Sequence, residues 1–221
     1  MVVQHNLTAM NSNRMLGITT NTQAKQTERL ASGYRINRAA DDAAGLSVSE
    51  KMRRQIRGLD QASANAQDGV SLVQSAEGAL NEVHDMLQRM NELTVKAANG
   101  TYTTTQKQYI ADEINQLISE IDRIATTTKF NDQSVLNGSG ANAKSFSFQV
   151  GNESGETMSV AISKMTATKL ATNLKNQSWS AATQYNAVAS FITVISSALE
   201  KVASQRSALG AVQNRLEHTI N

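Results

Sequence analysis

Residues 59–97 read LDQASANAQDGVSLVQSAEGALNEVHDMLQRMNELTVKA, and this stretch decides the fold. Small and apolar residues recur along it at alternating steps of three and four, a heptad pattern that lasts for more than five heptads without a proline. The stripe consists of Leu59, Ala62, Ala66, Gly69, Val73, Ala76, Leu80, Val83, Leu87, Met90, Thr94 and Ala97. Such a stripe predicts one long helix, roughly 58 Å from end to end, that packs against other helices with a gentle supercoil.

The composition agrees with a helical bundle. The chain has 221 residues, no proline, no cysteine and only 4% aromatic residues. Few aromatic side chains leave little bulk for a globular core, and the absence of proline removes the commonest interruption of long helices. We therefore expect a mainly α fold, an elongated antiparallel bundle of long heptad-patterned helices.

Charge and hydropathy argue against nucleic acid and membrane partners. The net charge is only +2, and the basic turn at Arg53, Arg54 and Arg57 lacks interleaved aromatic residues, which is typical of a solvated helix face. No apolar run approaches the ~20 residues of a membrane span. The N-terminus has neither the basic region nor the apolar region of a cleaved secretory signal, so we expect any export to use another route.

Before the central stretch, a weakly amphipathic helix is predicted over residues 1 to about 31, with a break at Ser32-Gly33. Asp41 and Asp42 come just before the next helix, where a carboxylate accepts hydrogen bonds from the first free amides. Helix capping is the preferred interpretation of this pair, and a pair of catalytic carboxylates is the alternative.

A second heptad helix follows the turn at Asn99-Gly100. Its stripe consists of Ile110, Ile114, Leu117, Ile121 and Ile124. The short connection predicts that this helix and the first one form an antiparallel pair.

Downstream, loops are expected at Asn131-Asp132 and from Asn137 onward. Alternating runs at residues 145–150 and 157–162 flank a glycine-containing loop. This pattern predicts a β-hairpin at about 145–162, and it is the only such signal in the chain.

A third heptad stripe follows a polar connector near residues 173–180. It consists of Tyr185, Val188, Ile192, Ile195, Leu199, Val202, Arg206, Leu209, Gln213, Leu216 and Ile220. We expect this helix to lie beside the helix of residues 59–97. Because the pattern is still running at Asn221, we also expect the natural helix to continue.

Sequence signatures of catalysis are not found. His5, His84 and His218 are widely spaced, and neither an HExxH motif nor a cysteine accompanies them, so we expect them on helix surfaces rather than at a metal. The chain has no glycine-rich phosphate loop and no GxSxG elbow. We therefore expect no enzymatic activity, no cofactor and no metal site.

Several long motifs resemble bacterial flagellin. Residues 28–46 read ERLASGYRINRAADDAAGL, residues 67–71 read QDGVS, residues 77–82 read EGALNE and residues 205–216 read QRSALGAVQNRL. The resemblance covers nearly the whole chain. The hook–filament junction protein of the same superfamily is the alternative, but it usually carries a Pro-Ser-like variant where residues 40–45 read ADDAAG.

The resemblance implies a structural subunit of the flagellar filament, without the large variable outer domains. It assigns residues 1–43 to the N-terminal half of the inner D0 domain, unpaired here because the C-terminal D0 segment is missing, and residues 44–221 to the D1 domain. It also implies export through the flagellar type III apparatus, polymerisation with other flagellin subunits under a cap, and an extracellular location.

The resemblance further implies a receptor-binding surface. Residues 88–93 look like the flagellin segment that binds Toll-like receptor 5, which assigns Arg89 and Leu93 to the contact. Glu113 matches the family's acidic contact on the neighbouring helix, with Ile110 and Gln116 as weaker candidates. For Leu93, packing against a third helix of the bundle is the alternative.

Overall fold

The computed structural model describes residues 6–138, 143–171, 174 and 185–221. Backbone contacts divide the chain into two compact units, Met1–Arg57 and Gly58–Asn221. The elements in chain order are α1 (Leu7–Ser32), α2 (Ala43–Ala98), α3 (Thr104–Thr127), β1 (Lys129–Phe130), β2 (Gln133–Ser134), β3 (Lys144–Gln149), β4 (Thr157–Ile162), α4 (Ala167–Leu170) and α5 (Tyr185–Ile220). Long helices with two small antiparallel β-pairs confirm the mainly α fold class.

In the first unit, α1 is a helix without a single buried residue. Asn6 caps its start, because the side-chain oxygen accepts a hydrogen bond from the Ala9 amide at 3.2 Å. Gly33 ends the helix in the left-handed region at φ 71°, a conformation that a residue without a Cβ adopts easily. The predicted break after Ser32 is confirmed.

Asp41 and Asp42 cap two different backbone segments. Asp42 Oδ1 accepts a hydrogen bond from the Gly45 amide at 2.8 Å at the start of α2, which confirms the capping interpretation. Asp41 Oδ2 accepts hydrogen bonds from the amides of Asn37 and Arg38 at 3.4 and 3.2 Å. The bond from the Arg38 amide is the largest cause that lowers the pKa of Asp41. Both carboxylates are therefore engaged with the backbone, as capping requires.

In the second unit, burial follows the predicted stripe of α2 from Ala62 to Ala97. Gly69 allows the close approach of two neighbours, since a Cβ there would lie 3.2 Å from Leu216 Cδ1 and 3.4 Å from the Phe148 ring. The prediction that Leu59 belongs to the buried stripe is wrong, because this residue is 55% exposed. It lines a surface groove together with Val150 and Ile220.

The buried face of α3 is centred slightly away from its predicted stripe. Its buried residues are Ile110, Ala111, Ile114, Ile118, Ile121 and Ala125. Leu117 and Ile124, which were expected in the stripe, are only half-buried. The reason is that α3 packs against more than one neighbour, so burial covers a wider arc than a two-helix seam.

The buried face of α5 is also rotated. Val188, Ile195, Val202, Leu209 and Leu216 are buried as predicted. Between them, however, the core receives Phe191, Ala198 and Gln205, and the expected Ile192, Leu199 and Arg206 are half-buried. The Tyr185 side chain and the polar connector, apart from Leu174, lie outside the described residues.

α5 lies beside α2 in this unit, as predicted. The Arg206 guanidinium of α5 is 3.8 Å from the Glu77 carboxylate of α2. Farther along, Leu216 forms a small buried cluster with Ala66 of α2 and Met158 of β4. These contacts join the two long helices and the hairpin.

The β3–β4 hairpin has the predicted position and facing. Antiparallel pairing places Lys144 opposite Ile162 and Gln149 opposite Thr157. The side chains of Met158, Val160 and Ile162 are buried, and those of the alternating positions in β4 are exposed. Alternation with a period of two is what directs one face of the hairpin into the core.

A second, smaller hairpin shows that the expectation of a single one is wrong. β1 and β2 pair antiparallel around Asn131 and Asp132, which have φ values of 47° and 60°. Two consecutive residues with positive φ are characteristic of a type I′ turn, and asparagine and aspartate tolerate this conformation better than most residues. Strands of two residues are too short to produce an alternating pattern that sequence can reveal.

The short helix α4 was not predicted, and it is held at both ends by long helices. Asp122 Oδ1 of α3 accepts a hydrogen bond from the Ala167 amide at 2.8 Å. Lys201 Nζ of α5 donates to the carbonyls of Leu170 and Lys169 at 2.7 and 3.2 Å. These contacts fasten the segment after the hairpin to α3 and α5.

Candidate functional site

The turn between α2 and α3 brings the candidate residues together. The start of α3 has a capping box, in which Thr103 Oγ1 accepts from the Gln106 amide at 3.3 Å and Gln106 Oε1 accepts from the Thr103 amide at 3.0 Å. The capping box fixes the residue at which α3 begins. Nine to ten residues farther along α3, Glu113 lies next to Arg89 of α2.

Arg89 is hydrogen-bonded to two carboxylates. Its Nη2 and Nε donate to Glu113 Oε1 at 3.0 and 3.2 Å, and its Nη1 donates to Glu92 Oε2 at 3.3 Å. We refer to Arg89, Glu92 and Glu113 as the α2–α3 ion cluster. All three side chains face solvent, with 53%, 68% and 47% of their surface exposed.

The cluster holds Arg89 in one geometry and has an excess of negative charge. The hydrogen bond to Glu113 is the largest cause that raises the pKa of Arg89, followed by the bond to Glu92. Because these groups are exposed, their pairing contributes little to folding stability. What the pairing supplies is orientation, and a long side chain that is already oriented loses less entropy when a partner binds.

The other predicted site residues differ in accessibility. Gln116 is exposed on α3, one turn beyond Glu113. Leu93 and Ile110 are buried, with 3% and 7% of their surface exposed, so they have almost no free surface to offer a receptor. For Leu93, burial agrees with the alternative that its side chain packs inside the helical bundle. The structure thus places Arg89, Glu113 and Gln116 at the surface, above a core that contains Leu93 and Ile110.

Glu92 is the site residue that the sequence analysis missed. It follows Arg89 by three residues on α2, a spacing at which oppositely charged side chains on a helix meet. This signal is local and was available in the sequence. Nearby Asp112 does not join the cluster, because its carboxylate accepts a hydrogen bond from Gln108 at 3.0 Å.

The described residues offer no sign of a metal centre or a membrane span. Within them, no group of three or more His, Cys, Asp or Glu residues could hold a metal ion, and none of their helices is long and apolar enough to cross a bilayer. His218 is exposed, and His5 lies outside the described residues. His84 is not the plain surface residue that was expected, since it is half-buried and its buried Nδ1 has no hydrogen-bond partner among the residues that the structure describes.

Comparison with known proteins defines the family. The family model of the bacterial flagellin N-terminal helical region matches residues 3–141. The flagellin of Halalkalibacterium halodurans is 49% identical over 220 residues, which cover 100% of this chain and 79% of that protein. The chain belongs to the bacterial flagellin family. The flagellin of Bacillus subtilis is 44% identical over 247 residues, with 100% of this chain and 81% of that protein covered. This flagellin is therefore a structural subunit of the extracellular flagellar filament.

Solved structures agree with this assignment. The crystal structure of Bacillus cereus flagellin has a TM-score of 0.60 and 31% identity, and covers 72% of this chain and 88% of that one. A putative flagellar hook-associated protein from Vibrio parahaemolyticus has a TM-score of 0.66 over 83% of this chain and 92% of that one. At 17% identity the latter shows a shared fold alone. The family model and the flagellin relatives do not favour the hook–filament junction alternative.

Proposed function

We propose that Toll-like receptor 5 binds this flagellin at the α2–α3 ion cluster, in addition to the chain's structural part in the filament. Arg89 and Glu113 are the principal contacts, and Gln116 lies at the edge of the same surface. The observation that supports this most is the double hydrogen bond from Arg89 to Glu113, which presents an exposed arginine in a defined geometry.

The chemistry of the cluster suits a binding hot spot. Arginine is enriched among residues that carry most of the energy of an interface, because it combines an apolar stem with several hydrogen-bond donors. Each of the two carboxylates keeps exposed oxygen for further hydrogen bonds from a partner. In this proposal Leu93 and Ile110 support the site from below, by packing α2 and α3 against the core.

The test is equilibrium binding of the folded chain to the receptor ectodomain. Arg89→Ala and Glu113→Ala are each expected to weaken binding by upward of ~1 kcal/mol, and the double variant by more than either. Arg123→Ala is the matched control, since Arg123 is another exposed arginine that donates to a carboxylate, Glu120, at 2.8 Å. A double variant that binds as tightly as the parent, or a control that weakens binding equally, would refute the site.

We also propose that residues 1–43 form half of the inner D0 domain and residues 44–221 form D1, and that the flagellar type III apparatus and a cap deliver and place the subunit. The apolar side chains of α1 support a part for this helix in the packing of subunits. Met10, Leu16 and Ile18 are more than half exposed in the single chain, so assembly with other subunits is the step that buries them.

Filament assembly in a flagellated host strain tests the part that α1 has in the packing of subunits. Leu16→Ser is expected to lower the yield of sedimentable filament and swimming motility, because it removes apolar surface that assembly buries. Gln23→Ser on the same helix is the polar control. Normal filaments from Leu16→Ser would show that α1 does not contribute its apolar side chains to the packing of subunits.

A further inference from the structure

The two outer edges of the β3–β4 hairpin differ in how many of their backbone groups are hydrogen-bonded by the rest of the chain. In antiparallel pairs, residues alternate between those whose backbone groups bond the partner strand and those whose groups point outward. The Val150 amide donates to the Glu156 carbonyl at 3.0 Å, so this pair bonds inward. Counting back along the register, Ser145, Ser147 and Gln149 on β3 point outward, as do Thr157, Ser159 and Ala161 on β4.

The outer edge of β4 is capped by a buried side chain. Gln205 of α5 donates from Nε2 to the Ala161 carbonyl at 3.1 Å and accepts at Oε1 from the Ser163 amide at 3.2 Å. A primary amide used in this way reproduces the pair of hydrogen bonds that a further strand would make. The Gln205 side chain therefore closes this part of the edge.

The outer edge of β3 is largely open. At the end of the strand, the Asn65 side-chain amide donates to the Gln149 carbonyl at 3.0 Å. In the described part of the chain, β3 pairs with β4 alone, and the outward backbone groups of Ser145 and Ser147 have no partner. Proteins usually block such an edge, because its free donors and acceptors invite another strand.

A groove of about 540 Å³ runs along this open edge. It is lined by five consecutive residues of β3, Ser145 to Gln149, and by no residue of β4, so it follows the edge of the sheet rather than a face. Its other residues are Asn65, Asp68 and Leu72 from α2 and Phe130, Asn131 and Gln133 from the smaller hairpin. The outward groups from Ser145 to Gln149 span roughly 14 Å, the length of a strand of four or five residues.

We propose that this groove binds an extended peptide segment of another polypeptide, which adds as a third strand to the free edge of β3. Backbone donors and acceptors that repeat every second residue match the main chain of an extended peptide. The occupant carries a basic side chain, because Asp68 is exposed in the groove and has no ion-pair partner among the described residues. Lys144, at the start of β3, does not compete for Asp68, since its Nζ donates to the Ser134 carbonyl at 3.0 Å. The site involves neither Arg89 nor Glu113.

Ser147→Pro and Ser159→Pro form a matched pair of variants. Both positions are exposed and lie opposite each other in the hairpin, and both amides point outward. Proline at either position removes one outward donor without breaking a β3–β4 hydrogen bond. Only Ser147→Pro changes the edge that lines the groove. Thermal unfolding of both variants checks that the hairpin remains folded.

The probe is a display library of octapeptides whose positions vary among Ser, Thr, Val, Lys and Arg, selected on the full chain. In the selected peptides, Lys or Arg is expected at one fixed position more often than in the unselected library. These peptides are expected to bind Ser147→Pro at least about tenfold more weakly, and to bind Ser159→Pro like the parent. Asp68→Asn is expected to remove the preference for basic residues. The proposal is overturned if no peptide prefers the parent to Ser147→Pro, or if both proline variants bind alike.

A second measurement uses the parent chain only, so it does not depend on the variants folding. The enriched peptide is compared with two copies that are N-methylated at alternate residues, one at the odd and one at the even positions, so that one of the two cannot donate hydrogen bonds to β3. Binding of the unmodified peptide is expected to slow amide exchange at Ser145 and Ser147, and one of the two methylated registers is expected to bind at least about tenfold more weakly. Equal binding of the peptide and both methylated copies, or slowed amide exchange only at other residues, would indicate recognition of side chains and would overturn strand addition.

Discussion

Two helices of this flagellin, α1 and the part of α2 from Ala62 to Ala97, have similar local chemistry and opposite environments. Both lack proline. Yet α1 has no buried residue over its 26 positions, whereas α2 buries thirteen residues, all of them within Ala62–Ala97. The comparison separates what makes a segment helical from what makes a helix stable: backbone propensity and caps specify α1, but packing stabilises α2.

The two helices also differ in how they satisfy polar groups. In α1, Thr19, Thr20 and Thr22 bond carbonyls of the preceding turn. In α2, the buried Thr94 does the same, with Oγ1 2.7 Å from the Met90 carbonyl, and so a polar residue enters the core without losing a hydrogen bond. An identical local bond is thus optional on an exposed helix and necessary on a buried one.

Amide exchange should show the largest contrast. In the isolated chain, amides of α1 are expected to exchange roughly 10³-fold or more faster than those around Leu80 to Met90 in α2, because an unpacked helix opens locally and a core helix opens only with its unit. Hydrogen–deuterium exchange with residue resolution measures both segments in one sample. Comparable protection of the two helices would contradict the comparison.

Core truncation should give the next largest effect. Leu87→Ala is expected to lower the free energy of unfolding by roughly 2–5 kcal/mol, because Leu87 is fully buried and its loss leaves a cavity. Leu16→Ala in α1 is the control and should change stability by less than about 0.5 kcal/mol, since that side chain is 67% exposed. Denaturant unfolding checks both, and an unchanged midpoint for Leu87→Ala would mean that the stripe is placed wrongly.

Gln205 allows the same comparison of a buried with an exposed side chain to be made for a polar residue. Gln205→Leu should cost roughly 1–3 kcal/mol, since it removes two hydrogen bonds and leaves the Ala161 and Ser163 backbone groups without these partners. Gln213→Leu, farther along α5, is the control: it removes one exposed bond to Glu217 and should cost only a few tenths of a kcal/mol. Equal effects in urea unfolding would argue that the cap has no structural importance.

The smallest effect is expected at the α2–α3 ion cluster. Arg89→Ala should change the free energy of unfolding by less than about 1 kcal/mol, because exposed ion pairs gain little Coulomb energy in water. Added salt should reduce even this difference. Thermal unfolding at low and high salt provides the measurement. A large loss of stability would mean that any effect on receptor binding reflects folding instead of lost contacts.

The long helices and the β3–β4 hairpin could be predicted from sequence because their signals are local and repeated. The stripe of α2 from Ala62 to Ala97 and the alternation in β4 each depend on a spacing that the backbone geometry fixes. The family motifs are long enough to indicate flagellin in the same way. Of the candidate site, Arg89, Glu113 and Gln116 were predicted and are exposed, and Glu92 was visible from its spacing.

The tertiary structure decided which of the residues beside each stripe are covered by neighbouring elements. The sequence by itself determined that α3 and α5 are amphipathic, but an apolar residue next to a stripe is equally consistent with the core and with a surface. Only the positions of neighbouring helices bury Leu93 and Ile110 and leave Leu59 exposed. The same holds for hydrogen bonds between distant residues: Gln205 caps β4 from 44 and 42 positions away, and no local pattern could indicate it, because such a contact exists only once the chain has folded.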